Sequence, residues 1–177
     1  MEALLVIDVQ NVLVNGSSCE DTLEKIEKLI QRFKRENKPV LFIQHLEEQP
    51  ESFFYKEKEE AKIISKFHPY IETIITKTTP SAFYQTNLQK VLEQLGVERV
   101  VITGFNTEFC WQFTAIAAYD RGFKVTFIED ATNTVNSSVE YEMEGLDIRD
   151  FVGTVLHWSN VIEVVDFEEY EQIVEPS

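Results

Sequence analysis

The chain opens on an unbroken apolar run at residues 3–7 that stops at Asp8. A run this short and this apolar is the pattern of a strand buried on both faces, with a polar residue at its carboxyl end. After the loop Gly16-Ser17-Ser18, residues 21–36 alternate charge with Leu23, Ile26, Leu29, Ile30 and Phe33, the spacing of a helix with one apolar stripe. Pro39 precedes a second buried run at 40–43, and short, β-branched runs recur at 71–75, 97–103 and 124–128. Helical spacing occupies 86–95 and 110–120. A last short strand is predicted at 161–165 and an amphipathic terminal helix at 167–174.

Strands that alternate with helices imply parallel pairing, because parallel neighbours need crossover connections. The expected fold is therefore a three-layer α/β/α arrangement around a mostly parallel central sheet, with ligands gathered at the carboxyl ends of the strands. A length of 177 residues suits one domain over 1–177. Residues 47–66 break the rhythm: they are highly charged, carry Phe53, Phe54 and Tyr55 in a row, and suit either a lid or a surface insertion whose aromatics pack down.

Composition narrows the partners. Sixteen basic residues against thirty-one acidic ones give a formal charge of −15, which argues against nucleic acid as a ligand. No apolar stretch approaches the ~18 residues of a membrane span, and the N-terminus lacks the features of a signal peptide. A cytoplasmic protein acting on a small molecule is expected. Cys19 and Cys110 form neither a disulfide framework nor a Cys-x-x-Cys pair, so a reactive thiol stays open as a reading.

Three residues fall where this architecture places chemistry: Asp8 after the first strand, Lys77 after the third, and Cys110 after the turn 104–109. A thiol near a helix N-terminus feels unpaired backbone N–H groups, a field that favours the thiolate. Taken alone, Cys110 reads more readily as a small core residue and Asp8 as a cap for a neighbouring helix or turn. Lys77 is harder to place otherwise, because an ammonium drawn towards the end of a buried sheet needs a carboxylate partner. Asp8 is the natural candidate.

These residues stand in segments that resemble the isochorismatase-like cysteine hydrolases, a family that includes nicotinamidases, carbamoylsarcosine amidohydrolase and related amidases. The segments are Asp8-Val9-Gln10-Asn11, Lys77-Thr78-Thr79-Pro80-Ser81-Ala82-Phe83 with Thr86 and Leu88, Gly104 through Cys110 into Thr114-Ala115, and Gly122-Phe123-Lys124-Val125 with Glu129-Asp130-Ala131. The resemblance implies an Asp8-Lys77-Cys110 triad and hydrolysis of an amide-like C–N bond through a thioester. It also implies a cis peptide between Phe105 and Asn106, an oxyanion hole made by the backbone N–H groups of Asn106 and Cys110, and a homo-oligomer.

The sequence departs from the nicotinamidases of this family at the end of the second strand, where Gln44-His45-Leu46-Glu47 stands instead of an Asp-x-His metal pair. No metal or other cofactor is expected, and nicotinamide becomes a weaker candidate substrate. Gln10, His45, Phe83 and the Phe53-Phe54-Tyr55 run are candidate pocket walls because they flank triad positions or the possible lid; Trp111, directly after Cys110, serves equally as a pocket wall or as a core anchor. Isochorismatase-type cleavage of a vinyl ether and a non-catalytic ligand-binding role are the alternatives. A phosphatase using Asp8 is disfavoured, since Gln10 stands where that chemistry wants a second acid.

Overall fold

The first apolar run forms β1 (Glu2–Ile7) at the centre of the sheet, with every residue from Ala3 to Ile7 out of solvent. The structure, a computed structural model, describes residues 1–173. A short helix, α1 (Asn11–Val14), follows, and then α2 (Glu20–Arg35), whose Leu23, Ile26, Leu29, Ile30 and Phe33 are all buried. The chain continues through β2 (Val40–His45), β3 (Ile74–Lys77), α3 (Leu88–Gln94) and β4 (Arg99–Gly104). It ends in α4 (Gln112–Asp120), β5 (Lys124–Thr132), α5 (Ile148–Trp158), β6 (Glu163–Val165) and α6 (Phe167–Gln172).

The six strands pair in the order β3-β2-β1-β4-β5-β6, and every pairing is parallel. Period-two alternation along β1 splits the core in two. Ala3, Leu5 and Ile7 pack with residues of α3, α4 and α5 on one face. Leu4 and Val6 pack with α1, α2 and α6 on the other. The chain is thus an α/β protein of three layers, as the alternation of runs implies.

Some boundaries differ from the sequence reading. The third strand is Ile74–Lys77 rather than 71–75, because the residues before it close a 3₁₀ turn, Ser65–Tyr70, that buries Phe67. The helix α5 has no counterpart in the sequence reading. Ile148, Val152 and Leu156 face inwards, but Phe151, Val155 and Trp158 are exposed on its outer side, so no polar face sets off the apolar stripe. Val174, the end of the expected terminal helix, lies outside the described residues. Among those residues, no helix is long and apolar enough to cross a membrane.

Candidate active site

The strand order reverses between β1 and β4, the place where sheets of this kind open a crevice at the carboxyl edge. Asp8 leaves β1 at that crevice in a left-handed conformation, φ 49°, which costs a non-glycine residue and is held here by burial and by its N–H bond to the carbonyl of Ile43. Opposite it, Gly104 ends β4 with φ 112°. A Cβ at Gly104 would lie 2.0 Å from the carbonyl oxygen of Ile7, so only glycine lets the two strands run this close.

The turn after Gly104 is a π-helical one, Thr107–Trp111, which runs straight into α4 and carries Cys110. No cis peptide occurs among the described residues, so the expected cis bond between Phe105 and Asn106 is corrected to trans. The positive φ of Gly104 and the wide π turn supply the change of direction. Asn106 is extended; its carbonyl accepts from the N–H groups of Phe109 and Trp111, and its side-chain oxygen accepts from the N–H of Val135.

Asp8, Lys77 and Cys110, distant in sequence, meet in this crevice. Lys77 Nζ lies 2.7 Å from Asp8 Oδ2, with both side chains 0% exposed. The same ammonium donates to Cys110 Sγ at 3.2 Å and to His45 Nδ1 at 3.0 Å. Both carboxylate oxygens of Asp8 are buried, and apart from the ion pair to Lys77 neither has a hydrogen-bond partner among the described residues. The site therefore holds a buried cation that is bonded to Cys110 and His45 and paired with a carboxylate open to a proton.

Burial, and after it the Asp8 anion, push the Cys110 thiol up to about 12, against the pull of Lys77. This reverses the expectation from the helix terminus: the dipole of a first turn is a small effect beside desolvation of an anion. At neutral pH the resting Cys110 is therefore a thiol, beside the Asp8–Lys77 ion pair.

Asp8, His45 and Cys110 also offer an oxygen, a nitrogen and a sulfur within 4.8 Å of one another, a donor set that a metal ion can use. Lys77 Nζ bonds or pairs with all three. A cation there would have to displace the ammonium, so these residues do not fit a metal site.

The four candidate wall residues meet different fates. The Gln10 amide is spent on backbone: Nε2 donates to the carbonyls of His45 and Ala61, and Oε1 accepts from the N–H of His45. It brackets the end of β2. Trp111 is fully buried against Phe127, ring centroids 3.9 Å apart, and anchors the helix to the sheet. Phe83 stacks on Phe123, which leads into β5 at the opposite edge of the sheet, so it lies away from the crevice. Of the four, His45 is the one whose side chain hydrogen-bonds a triad side chain among the described residues.

In the segment 47–66, Phe54 sets its ring edge against His45, centroids 4.8 Å apart, while Phe53 is exposed. Glu47 bridges to Tyr55 and Gln10 to Ile63, which folds the segment over the end of β2.

Two carboxylates went unnoticed in the sequence. Glu47 Oε1 lies 3.1 Å from His45 Nε2, and period two along an extended chain, which puts residues 45 and 47 on one side, was the available signal. Glu108 Oε1 accepts from Thr134 Oγ1, Asn136 Nδ2 and the Tyr141 hydroxyl at 2.8–3.0 Å, fastening the loop after β5 to the turn before Cys110. Nothing local in the sequence pairs those residues.

Residues 2–159 match the isochorismatase domain. The chain is 32% identical over 145 residues to YddQ of Bacillus subtilis, an uncharacterized isochorismatase family protein, covering 78% of this chain and 81% of that one. It is 31% identical over 151 residues to nicotinamidase 3 of Arabidopsis thaliana, covering 77% and 75%. The structure of a cysteine hydrolase from Pseudomonas syringae superposes with a TM-score of 0.84 over 96% of this chain and 90% of that one, at 20% identity, a likeness of fold.

Proposed function

The chain belongs to the isochorismatase family, and from that membership we propose that it is a metal-independent cysteine hydrolase that cleaves an amide-like C–N bond in a small molecule. The observation that carries the reading is the buried ammonium of Lys77 between Asp8 and Cys110 at the switch point of the sheet. The similarity to a nicotinamidase supports an amide as the substrate class.

In this reading the Cys110 thiol passes its proton to Asp8 as sulfur attacks the carbonyl carbon, so no free thiolate accumulates in a site that disfavours one. Lys77 keeps its charge beside both partners and offsets the negative charge as it moves from carboxylate to substrate. The carbonyl oxygen, now an oxyanion, is taken by the backbone N–H groups of Asn106 and Cys110. Protonated Asp8 gives its proton to the leaving nitrogen, the C–N bond breaks, and the acyl group stays on sulfur as a thioester. Asp8 then removes a proton from water, which attacks the thioester and releases a carboxylic acid and the thiol.

Resemblance also supports a homo-oligomer. The outer sides of α4 and α5 expose Phe113, Ile116, Phe151, Val155 and Trp158, a face that a second copy would cover.

The test is ammonia release from a panel of small primary amides, ureido compounds and nicotinamide, with and without chelator, by wild type and Cys110→Ala. Release that ignores chelator and disappears in the variant is the expected result. Turnover of isochorismate by both proteins, with no amide cleaved, would replace this reading with vinyl ether hydrolysis. Binding without turnover of any compound would replace it with a ligand-binding role.

A further inference from the structure

The Lys77 ammonium has three polar neighbours: it pairs with Asp8 Oδ2 and donates to Cys110 Sγ and His45 Nδ1. The third is the unusual one. An imidazole nitrogen accepts only when it carries no proton, so the contact with Lys77 requires the tautomer protonated at Nε2. That nitrogen meets Glu47 Oε1, whose carboxyl is held below its usual range, first by a hydrogen bond from Ser52 and then by His45 itself. An anionic Glu47 selects the Nε2–H form, and the edge of Phe54 and the Gln10 bracket hold the ring where Nδ1 meets Lys77.

We propose that His45, set in its tautomer by Glu47, is a positioning residue that holds Lys77 in place between Asp8 and Cys110 as a neutral acceptor of its ammonium. Neutrality is the useful property. A second carboxylate at this place would draw the ammonium away from sulfur and weaken its hold on the charge that develops there. An apolar side chain would leave one buried N–H unsatisfied, which favours a neutral lysine or a displaced one. Burial, followed by the Lys77 charge, keeps the imidazole below its ordinary value and therefore neutral near pH 7.

This inference rests on Cys110 and Lys77 acting together, and its test is chosen to stand without a known substrate. Cys110 alkylation by iodoacetamide is followed by mass spectrometry, with Cys19 resolved as an internal reference, in wild type, His45→Asn, His45→Leu and Glu47→Gln. The Asn carbonyl stands where Nδ1 does, so His45→Asn should alkylate at a rate close to wild type. His45→Leu should be slower by about tenfold or more, the range in which orienting partners of reactive groups act. Glu47→Gln, on a side chain 34% exposed, should fold normally and fall between them. Nitrogen-15 shifts of the His45 ring should report the Nε2–H tautomer in wild type and a mixture in Glu47→Gln.

Equal alkylation of all four proteins, a His45→Asn variant as slow as His45→Leu, or an Nδ1–H tautomer in wild type would each overturn the proposal. Once a substrate is in hand, the loss in His45→Leu should lie in kcat; a loss confined to KM would make His45 a substrate contact instead. Failure of wild type to cleave any amide would count against the amide reading alone, because the alkylation and tautomer results do not depend on it.

Discussion

Lys77 Nζ and Asp8 Oδ2 lie 2.7 Å apart with neither side chain reaching solvent, the most deeply buried ion pair among the described residues. Removing one partner strands the other's charge, whereas removing both leaves a polar but uncharged pocket. Lys77→Met should therefore destabilise by about 3–5 kcal/mol, and the Asp8→Asn, Lys77→Met double variant should recover part of that loss. Urea unfolding of the two single variants and the double variant measures the coupling; additive losses would mean that the pair does not interact as a unit. All three should lose amide turnover.

The Cys110 thiol gives a second test through pH. Its pKa rises on folding from 9.0 to about 12, so between those values the native state keeps a proton that the unfolded chain has lost. A state that binds the extra proton is favoured at lower pH, and stability should fall as pH rises from about 9 towards 12. Comparison of wild type with Cys110→Ala isolates the contribution from that of the tyrosines: the variant should lose stability less steeply across that range. Parallel profiles would show that the thiol is not so perturbed.

Gly104 offers a purely steric prediction. Gly104→Ala would set a methyl 2.0 Å from the Ile7 carbonyl oxygen at a φ of 112°. Relief requires β1 and β4 to separate at the crevice that holds Asp8 and Cys110. A loss of about 3 kcal/mol or more is expected, within the class of severe backbone substitutions, together with loss of activity. Thermal unfolding checks it.

The α4–α5 face predicts association. Trp158 is 76% exposed at the end of α5, and Phe151 on the same helix and Phe113 on α4 are exposed as well. Light scattering should report a mass above the 20.6 kDa of one chain. The Phe113→Glu, Trp158→Glu variant should return to that mass, since a charge buried at a contact between copies costs more than one left in water. A wild-type monomer at all concentrations would remove the second copy from this face.

Much of the fold was legible because burial leaves a local mark. The run at 3–7 and the stripe from Leu23 to Phe33 are apolar at the periods of a strand and a helix, and they became β1 and α2. The helix α5 escaped because its exposed Phe151, Val155 and Trp158 erase the contrast on which that reading depends. Trp111 and Phe83 flank triad positions in sequence, but neither lines the crevice. Neighbours along a helix or loop point to different sides, and one met Phe127 and the other Phe123.

By itself the sequence determined the α/β alternation and the residue types able to do the chemistry: an acid, an amine and a thiol at positions 8, 77 and 110, each beyond the end of a strand or at it. Their meeting was a decision of topology. Only the order β3-β2-β1-β4, with every strand parallel, brings the carboxyl ends of β1, β3 and β4 to one edge and sets His45 beside Lys77 in register. The charge state was likewise tertiary. A helix terminus argues locally for a thiolate at Cys110, but the free energy of an anion depends on all that surrounds it. Here burial and the Asp8 carboxylate outweigh Lys77 and keep the proton on sulfur.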